Sequence, residues 1–296
     1  MRNKINQWKF PDEIVSCEWL KERLTDKTIR LFDCTAYLHY TDDHPSKPYD
    51  VVSGLENYKK KHIPTAAFLD LQEELSEQKS SYSFTLPEYN DLAARFMKLG
   101  VGDPFHIILY SRNGVQWATR VWWMLFILGF KRVSVLDGGL KEWEALGYEI
   151  ETSVTSYSPS KFEENIDTSV FVDKDVTLGA MNKTDCKLLN ALTSDIHKGE
   201  NPRYGRPGRI PGSLNIPFHE LVDSETGKLV SPEKAMKVFS QENISSDDNI
   251  LNYCGGGIAA TLNAFIQRQL GFKNMRIYDN SMSEWAMDNT LPIETD

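Results

Sequence analysis

The chain has 296 residues, more than a single domain usually contains, so we expect two domains of similar size. A hydrophobic fraction of 41% and seven tryptophans are ample for buried cores and argue against a disordered chain. The formal net charge of −9 disfavours nucleic acid and anionic membranes as partners, because both need a broad basic surface. The N-terminal residues lack the apolar segment of a signal peptide, and the longest apolar-rich run, residues 121–130, is too short to span a bilayer. We therefore expect a soluble, cytoplasmic protein.

The first half of the chain predicts an alternation of short strands and helices. Three apolar runs are too short to be helices and are typical of parallel strands; they lie at residues 31–34, 107–110 and 133–136. Helical spacing of apolar residues extends over 118–128, and Gly129 follows it as a stop signal. The polar stretch 151–167, rich in Ser and Thr, predicts a linker to a second unit.

The second half repeats this order of elements. Its strands are predicted at residues 188–191, 250–253 and 275–278. A helix is predicted over 259–270, and Gly271 ends it as Gly129 ends the first. Single residues also match between the halves: Tyr110, Gly114, Asp137 and Trp143 correspond to Tyr253, Gly257, Asp279 and Trp285. Matched blocks in the same order indicate an internal duplication.

The duplication predicts an α/β fold with two tandem domains, at residues 1–150 and 168–296. Alternating strands and helices imply that each domain contains a parallel sheet with helices on both faces. Ligands of such sheets bind beyond the carboxyl ends of the strands. Cys254 directly follows the strand predicted at 250–253 and therefore lies at such an end.

Cys254 is also the only one of the four cysteines that stands in a glycine turn. The other three are predicted to be small buried hydrophobic residues: Cys17, Cys34 and Cys186. The cysteines are scattered, with neither a CxxC pair nor a Cys/His cluster at zinc spacing. We therefore expect free thiols and no metal site.

The segment CGGGIAA, which begins at Cys254, is compatible with three chemistries. A dinucleotide site would use the weak match to G-x-G-x-x-G/A at Gly255, Gly257 and Ala260. Such a fold needs further strands, and only seventeen residues follow Asp279. A cysteine phosphatase would need an arginine in the loop to bind the phosphate, and the loop contains none. Both interpretations are weak.

Sulfur transfer is the third chemistry. A thiolate attacks a sulfane sulfur and carries it as a persulfide, which requires backbone N–H groups around the charged sulfur and an exposed entrance. Glycines at a helix N-terminus can supply both. The alternative is that Cys254 only fills a tight turn, because the matching Ser111 shows that the turn tolerates a residue without a thiol. We interpret the first copy as a scaffold and the second as the part that carries the chemistry.

Several motifs point to one protein family. They are HIPTAAFLD and VLDGGLKEW in the first half, and RPGRIPGSLNIPF and YCGGGIAATLNAF in the second. Through them the chain resembles the tandem-domain sulfurtransferases of the rhodanese family over nearly its whole length, and its cysteine loop is more similar to that of mercaptopyruvate enzymes than to that of thiosulfate enzymes. The resemblance implies two rhodanese-like domains, an inactive first copy, and one active cysteine, Cys254, in a site between the domains.

The glycine turn at a helix N-terminus also predicts a loop whose backbone amides stabilise the thiolate and persulfide of Cys254. Its residues are Gly255, Gly256, Gly257, Ile258, Ala259 and Ala260. The loop departs from the family, because Gly256 stands where thiosulfate enzymes carry lysine and mercaptopyruvate enzymes carry serine, and Leu192 stands where an arginine is expected. We therefore expect the groups that bind an anionic donor to lie elsewhere.

The cationic loop at residues 197–212 is the predicted source of those groups. Arg203 is the first candidate, since it matches an arginine of the mercaptopyruvate-type pattern, and Arg206 is the second. A guanidinium would bind the carboxylate or sulfonate of the donor; the alternative is solvated charges or structural ion pairs. His62 resembles the proposed proton-handling residue of mercaptopyruvate enzymes, and its alternative role is to cap the turn into the next strand.

The sequence thus predicts a sulfurtransferase without a metal or organic cofactor. It would move a sulfane sulfur from an anionic donor, thiosulfate or 3-mercaptopyruvate, to cyanide or a thiol through a persulfide on Cys254. Its partners would be these small molecules, without nucleic acid or membrane, and the sequence indicates no oligomeric state. The alternative is a non-catalytic rhodanese-like module that binds a protein or senses oxidation, which the missing lysine, serine and arginine motivate.

Overall fold

The computed structural model describes residues 7–41, 48–181 and 183–296. In the first half the strands are β1 (Ile14–Val15), β2 (Ile29–Asp33), β3 (Ala36–Tyr40), β4 (Tyr49–Ser53), β5 (Ala67–Phe68), β6 (His106–Tyr110) and β7 (Val133–Leu136). The helices are α1 (Cys17–Arg23), α2 (Leu55–Lys60), α3 (Tyr89–Lys98), α4 (Gln116–Ile127) and α5 (Gly139–Ala145). Five of these strands form a parallel sheet in the order β1-β7-β6-β2-β5, while β3 and β4 form a separate antiparallel hairpin.

The second half builds the same sheet again. Its strands are β8 (Phe171–Val172), β9 (Cys186–Asn190), β10 (Leu214–Asn215), β11 (Asn249–Tyr253) and β12 (Asn274–Tyr278). Its helices are α6 (Lys174–Met181), α7 (Ser194–Lys198), α8 (Pro232–Gln241), α9 (Ala259–Gln269) and α10 (Ser281–Trp285). The sheet is parallel with the order β8-β12-β11-β9-β10. These strands correspond, in the same order, to β1-β7-β6-β2-β5 of the first sheet. The predicted α/β fold with two tandem parallel sheets is confirmed.

Both faces of the first sheet are covered by helices. Alternate residues of β6 lie in different hydrophobic clusters: Ile107 and Leu109 pack with residues of α3 and α4, whereas Ile108 and Tyr110 pack with residues of α1, α2 and α5. The division follows from the geometry of a strand, in which successive side chains point to opposite faces. Because both faces of β6 are buried, its sequence is a continuous apolar run and does not alternate between polar and apolar residues.

The two halves meet through α4 and α9. Ten of the twelve residues of α4 and ten of the eleven residues of α9 are buried, because each helix packs on its own sheet and on the other helix. The hydroxyls of Thr119 and Thr261 lie 2.9 Å apart, and Trp123 donates its indole N–H to the Thr261 carbonyl at 3.0 Å. Although several helices are buried, none in the described ranges is long and apolar enough to cross a bilayer.

The predicted linker, residues 151–167, lies along the first half. Glu151 and His62 exchange both backbone hydrogen bonds, and the Tyr157 hydroxyl donates to the Thr65 carbonyl at 2.7 Å. Asn165 donates its backbone N–H to the Leu128 carbonyl just beyond α4. The stretch thus bonds repeatedly to the first sheet and its helices before the second sheet begins at β8. The domain boundaries at residues 150 and 168 stay a prediction.

Candidate active site

The loop between β11 and α9 carries Cys254 and has a fixed backbone. Gly257 adopts a φ of 71°, and a Cβ at this position would fall on the carbonyl oxygen of Asp279, so only glycine fits. The Gly257 carbonyl accepts a hydrogen bond from Arg120 Nη1 at 3.1 Å. Because Arg120 belongs to α4, the first half of the chain holds part of this loop.

The first residues of α10 hold the other end of the loop. The carbonyl of Cys254 accepts from the Met282 N–H at 3.0 Å, and that of Gly255 accepts from the Ser283 N–H at 2.7 Å. The Cys254 N–H donates to the Ser281 hydroxyl at 3.0 Å. The loop carbonyls are therefore bonded to groups outside the loop.

The remaining N–H groups of the loop have no such partner. Within the described ranges, the backbone N–H groups of residues 255–258 donate to no acceptor. They precede α9, whose N-terminal end adds positive potential. Four donors at the start of an eleven-residue helix form an arrangement suited to an anionic sulfur on Cys254.

The thiol itself is covered, because Cys254 is only 2% exposed. The sequence led us to expect an exposed entrance, and the structure shows the thiol itself covered. Tyrosine side chains occupy the space in front of the loop: a Cβ on Gly256 would lie 2.5 Å from the Tyr49 hydroxyl, and one on Gly255 would overlap the hydroxyl and ring of Tyr204. The glycines admit these two tyrosines to the loop backbone.

Three tyrosines form the cover over Cys254. The rings of Tyr40 and Tyr49 meet edge to face at 6.1 Å, and those of Tyr49 and Tyr204 at 6.4 Å. Tyr40 ends β3 and Tyr49 begins β4, so both belong to the hairpin of the first half, while Tyr204 belongs to the cationic loop of the second. The site therefore lies between the two halves, as the resemblance implied.

Burial is the main influence on these phenols. It raises the pKa of Tyr49 and of Tyr204 far above the usual value, and the negative charge of a Cys254 thiolate raises both further. Burial also raises the pKa of Tyr40, where Arg203 opposes the effect. All three hydroxyls are thus protonated near neutral pH and can donate hydrogen bonds.

Comparisons with known proteins agree with this geometry. A family model described as "Rhodanese-like domain" matches residues 16–146 and 182–288. This chain belongs to the rhodanese family. Thiosulfate/3-mercaptopyruvate sulfurtransferase 1 of Arabidopsis thaliana, a mitochondrial protein, is 32% identical over 96% of this chain and 78% of its own length. The 3-mercaptopyruvate sulfurtransferase of Escherichia coli is 29% identical over 95% of this chain and 97% of its own.

A solved rhodanese fold also matches. The crystal structure of SseA from E. coli, a 3-mercaptopyruvate sulfotransferase by its description, superposes with a TM-score of 0.75 and 26% identity, covering 91% of this chain and 98% of SseA. Both curated relatives are sulfurtransferases, and the match extends over nearly the whole chain. This rhodanese is therefore a sulfurtransferase.

Arg203 lies beside the tyrosines that cover the rhodanese loop. Its guanidinium carbon is 3.9 Å from the centroid of the Tyr40 ring, and its side chain is half-buried. Tyr40 is 48% exposed, so this pair stands where the cluster reaches solvent. The structure thus brings the first predicted donor-binding residue to the edge of the cysteine site.

Arg206 has a different position, and its predicted role in donor binding stays a prediction that its contacts do not favour. Its guanidinium donates to four backbone carbonyls of the C-terminal segment, at distances of 2.5–3.0 Å. Those carbonyls belong to Trp285, Ala286, Asp288 and Leu291. Four of its five N–H donors are engaged by the protein, so this arginine fastens the segment after α10.

His62 likewise has contacts within the protein, and its predicted role in the site stays a prediction. It is fully buried, its Nδ1 lies 2.8 Å from the Tyr58 carbonyl, and its ring stacks on Tyr58 at 4.0 Å. Its Nε2 faces Glu151 at 3.5 Å. Among the described residues, these contacts all belong to the first half and its linker and none to the cysteine loop. The capping alternative describes it better.

The last residues of the loop contribute backbone and packing. Ile258, Ala259 and Ala260 are buried where α9 begins, and they offer no polar side chain. At the matching turn of the first copy, the Ser111 hydroxyl bonds the Gly114 carbonyl. Across the described ranges, no group of three or more His, Cys, Asp or Glu side chains is arranged to hold a metal ion.

Sequence reasoning missed four residues of the site. They are Tyr40, Tyr49, Arg120 and Tyr204. Only Arg120 had a usable signal, because a charged residue inside the apolar helix RVWWMLF must find a buried partner. The tyrosines lie in a hairpin and a loop, and no local sequence pattern relates them to Cys254. Two of them, Tyr40 and Tyr49, are more than a hundred residues away from it in the sequence.

Proposed function

We propose that this rhodanese moves a sulfane sulfur from an anionic donor to a thiophilic acceptor through a persulfide on Cys254. The observation that supports it is the cysteine loop, where the N–H groups of residues 255–258, which directly follow the thiol and precede a helix, have no acceptor in the described ranges. The relatives are named for thiosulfate and 3-mercaptopyruvate, and we propose these two molecules as donors.

The first step loads the cysteine. The Cys254 thiolate attacks the sulfur of 3-mercaptopyruvate, an S–S bond forms and the carbon–sulfur bond breaks. The electron pair of that bond leaves as the enolate of pyruvate, which takes up a proton to give pyruvate. With thiosulfate the bond that breaks is the S–S bond of the donor, and sulfite leaves. The loop N–H groups would stabilise the anionic sulfur before and after the transfer.

The second step unloads it. The thiolate of an acceptor, or cyanide, attacks the outer sulfur of the persulfide, and the S–S bond to Cys254 breaks. The acceptor leaves as a persulfide or as thiocyanate, and the Cys254 thiolate is regenerated. The net result is transfer of one neutral sulfur atom, so the cycle needs neither an oxidant nor a metal.

The first copy would take no sulfur, because Ser111 stands at the position of the thiol. We propose that its function is to supply parts of the cover and of the loop support, namely Tyr40, Tyr49 and Arg120. Arg203 would attract the carboxylate or sulfonate of the donor to the entrance.

Mass spectrometry of the loop peptide tests the proposal. After incubation with 3-mercaptopyruvate or thiosulfate, Cys254 should gain one sulfur atom, about 32 Da. Pyruvate or sulfite release should follow steady-state kinetics when cyanide or a dithiol is the acceptor. Cys254→Ser should take up no sulfur and should lose about 10³-fold or more in turnover, because the hydroxyl is a far weaker nucleophile.

Cys34→Ser is the matched control, because Cys34 is buried in the first half with a pKa that burial raises well above normal. It should keep the turnover of the parent. If the parent takes up sulfur from neither donor and Cys254→Ser matches it, the non-catalytic module that binds a partner or senses oxidation becomes the better account.

A further inference from the structure

Two tyrosine hydroxyls fill the space where the loop could have carried side chains. A Cβ on Gly256 would lie 2.5 Å from Tyr49 Oη, and one on Gly255 would overlap Tyr204. Neither glycine has the left-handed backbone that Gly257 has, so backbone conformation does not require glycine at these two positions. Residues larger than glycine are excluded at 255 and 256 because Tyr204 and Tyr49 occupy the space that a side chain would need. The same space can therefore hold either a side chain on the loop or the hydroxyl of a tyrosine that packs against the loop.

The two hydroxyls remain available for hydrogen bonding. Tyr49 Oη is 3.5 Å from Ser283 Oγ, which is the outer limit of a hydrogen bond. No hydrogen bond joins the Tyr204 hydroxyl to a residue in the described part of the chain. Since burial raises the pKa of both phenols, both carry their proton at neutral pH. Hydroxyls without a strong partner at the loop that carries Cys254 are suited to bind a reacting anion.

We propose that Tyr49 and Tyr204 donate hydrogen bonds to the bound donor and to the persulfide sulfur on Cys254, in place of a polar side chain on the loop. The inference rests on the proposed persulfide function. During loading, negative charge moves from the Cys254 thiolate to the departing enolate, and during unloading it returns to Cys254. Donors fixed at the loop stabilise the charge at both places. Because Tyr49 comes from the hairpin β3–β4, the second copy has a complete site only under the cover of the first.

Removal of each hydroxyl is the first experiment. Tyr49→Phe and Tyr204→Phe should each lower kcat/KM with 3-mercaptopyruvate by about 10- to 100-fold, the usual effect of losing one hydrogen bond to a charged group. Both should still form the Cys254 persulfide on long incubation. Tyr37→Phe is the matched control, since Tyr37 lies on β3 and its hydroxyl accepts from Asn57 Nδ2 at 2.8 Å, away from the loop. It should keep the parent kcat/KM.

Moving the hydroxyl from Tyr49 to residue 256 of the loop is the sharper experiment. Gly256→Ser alone should lose activity, because its Cβ would be 2.5 Å from Tyr49 Oη. When Gly256→Ser is combined with Tyr49→Phe, the tyrosine oxygen is gone and the nearest ring carbon, Cζ, lies 3.8 Å from the Cβ of residue 256. The serine then returns a hydroxyl to the site. The double variant should therefore be at least about 10-fold more active than Gly256→Ser and more active than Tyr49→Phe.

Gly255 provides the contrast. A Cβ there would also lie 2.7 Å from the ring carbon Cε1 of Tyr204, so removing the hydroxyl cannot make room for it. Gly255→Ser should therefore stay inactive when combined with Tyr204→Phe. Rescue at 256 with no rescue at 255 would support the assignment.

The outcomes distinguish this inference from the function on which it rests. A parent that loads no sulfur on Cys254 would overturn both. A parent that turns over, with Tyr49→Phe and Tyr204→Phe variants that keep its kcat/KM within about twofold, would overturn the inference alone. A double variant at 256 that is no better than Tyr49→Phe would show that the tyrosine only packs against the loop.

Discussion

At the scale of single residues, the glycines after Cys254 have two different physical causes. Gly257 needs a left-handed backbone and has the carbonyl of Asp279 where a Cβ would be. Gly255 and Gly256 lie under the Tyr204 and Tyr49 hydroxyls. The loop therefore offers its N–H groups on one side and receives phenols on the other, and neither feature depends on a charged side chain. Charge for an anionic donor must come from the rim.

Arg203 is the residue that we expect to supply this charge. Replacing it with glutamine should raise KM for 3-mercaptopyruvate about 5- to 10-fold and leave kcat nearly unchanged, because a rim charge attracts the donor without contacting the reacting sulfur. Steady-state kinetics at low and high salt would measure this, since salt should raise the KM of the parent more than that of the variant.

Arg206→Gln is the natural comparison. Its four carbonyl partners would lose a charged donor, so the variant should lower the free energy of unfolding by about 2–4 kcal/mol while a folded sample keeps the parent KM. The opposite pattern, with an unchanged KM for Arg203→Gln and a raised one for Arg206→Gln, would contradict the assignment of the two arginines.

The sequence reveals the residue that we propose as the sulfur carrier but not the groups around it. Cys254 is recognisable because it alone among the four cysteines stands in a glycine turn after a predicted strand. Arg203 and Arg206 look equivalent in sequence, and only the carbonyls of the C-terminal segment distinguish them. His62 shares the family motif, yet the chain folds it against Tyr58 and Glu151. Motifs indicate which residues recur, whereas tertiary contacts decide what each can touch.

At the scale of elements, burial explains which predictions succeeded. The strand β7 has the predicted bounds, and the starts of β6, β11 and β12 differ by one residue, because central parallel strands are continuous apolar runs. The helix α4 begins two residues earlier than predicted. The hairpin β3–β4 gave no clear signal, since AYLHY and YDVVS lie at the molecular surface over part of their length and mix polar with apolar residues.

The matching aspartates of the two copies, Asp137 and Asp279, have different partners. Asp137 begins the turn after β7, and Asp279 occupies the same place after β12. Asp279 pairs with Arg120 at 2.6 Å, whereas Asp137 accepts a hydrogen bond from the Leu229 N–H at 2.8 Å and has no arginine in the described ranges. Burial accordingly raises the pKa of Asp137 to about 6.

A pH-dependent stability should follow from Asp137. Its pKa in the folded chain lies above the unfolded value of about 3.9, so ionisation disfavours folding, and the stability present below pH 4 is lost as the pH rises through 6. Asp137→Asn removes this titration and keeps an acceptor for Leu229. Relative to the parent, the variant should gain on the order of 1–2 kcal/mol between pH 5 and pH 8. Urea unfolding of both proteins at the two pH values would measure the difference, and an equal difference at both would refute it.

At the scale of the whole molecule, the duplicated sheets form one site because the inactive-looking copy reaches across the interface. The first half contributes the hairpin tyrosines to the cover, and α4 contributes Arg120 to the loop carbonyl. The pairing of α4 with α9 fixes the distance between the sheets from which these groups project. A copy that has serine in place of the loop cysteine is thus needed for the shape of the site, which gives a physical reason for the tandem arrangement.

Arg120 is the residue on which this interface depends most. It is fully buried, bonds the Phe84 and Gly257 carbonyls, and pairs with Asp279, whose side chain is 14% exposed. Arg120→Met keeps the bulk but leaves a carboxylate and two carbonyls without their donor. We expect a loss of about 3–5 kcal/mol in the free energy of unfolding, the usual effect of breaking a buried ion pair from one side.

A double-variant cycle would separate the ion pair from the rest of the packing. Arg120→Met combined with Asp279→Asn removes the unpaired charge, so it should be more stable than Arg120→Met alone, while turnover stays low because the Gly257 carbonyl still lacks its donor. Chemical unfolding followed by tryptophan fluorescence reports the stability, and pyruvate release reports the site. If the charge were solvated in the folded protein, Arg120→Met would cost less than about 1 kcal/mol and the second substitution would restore nothing.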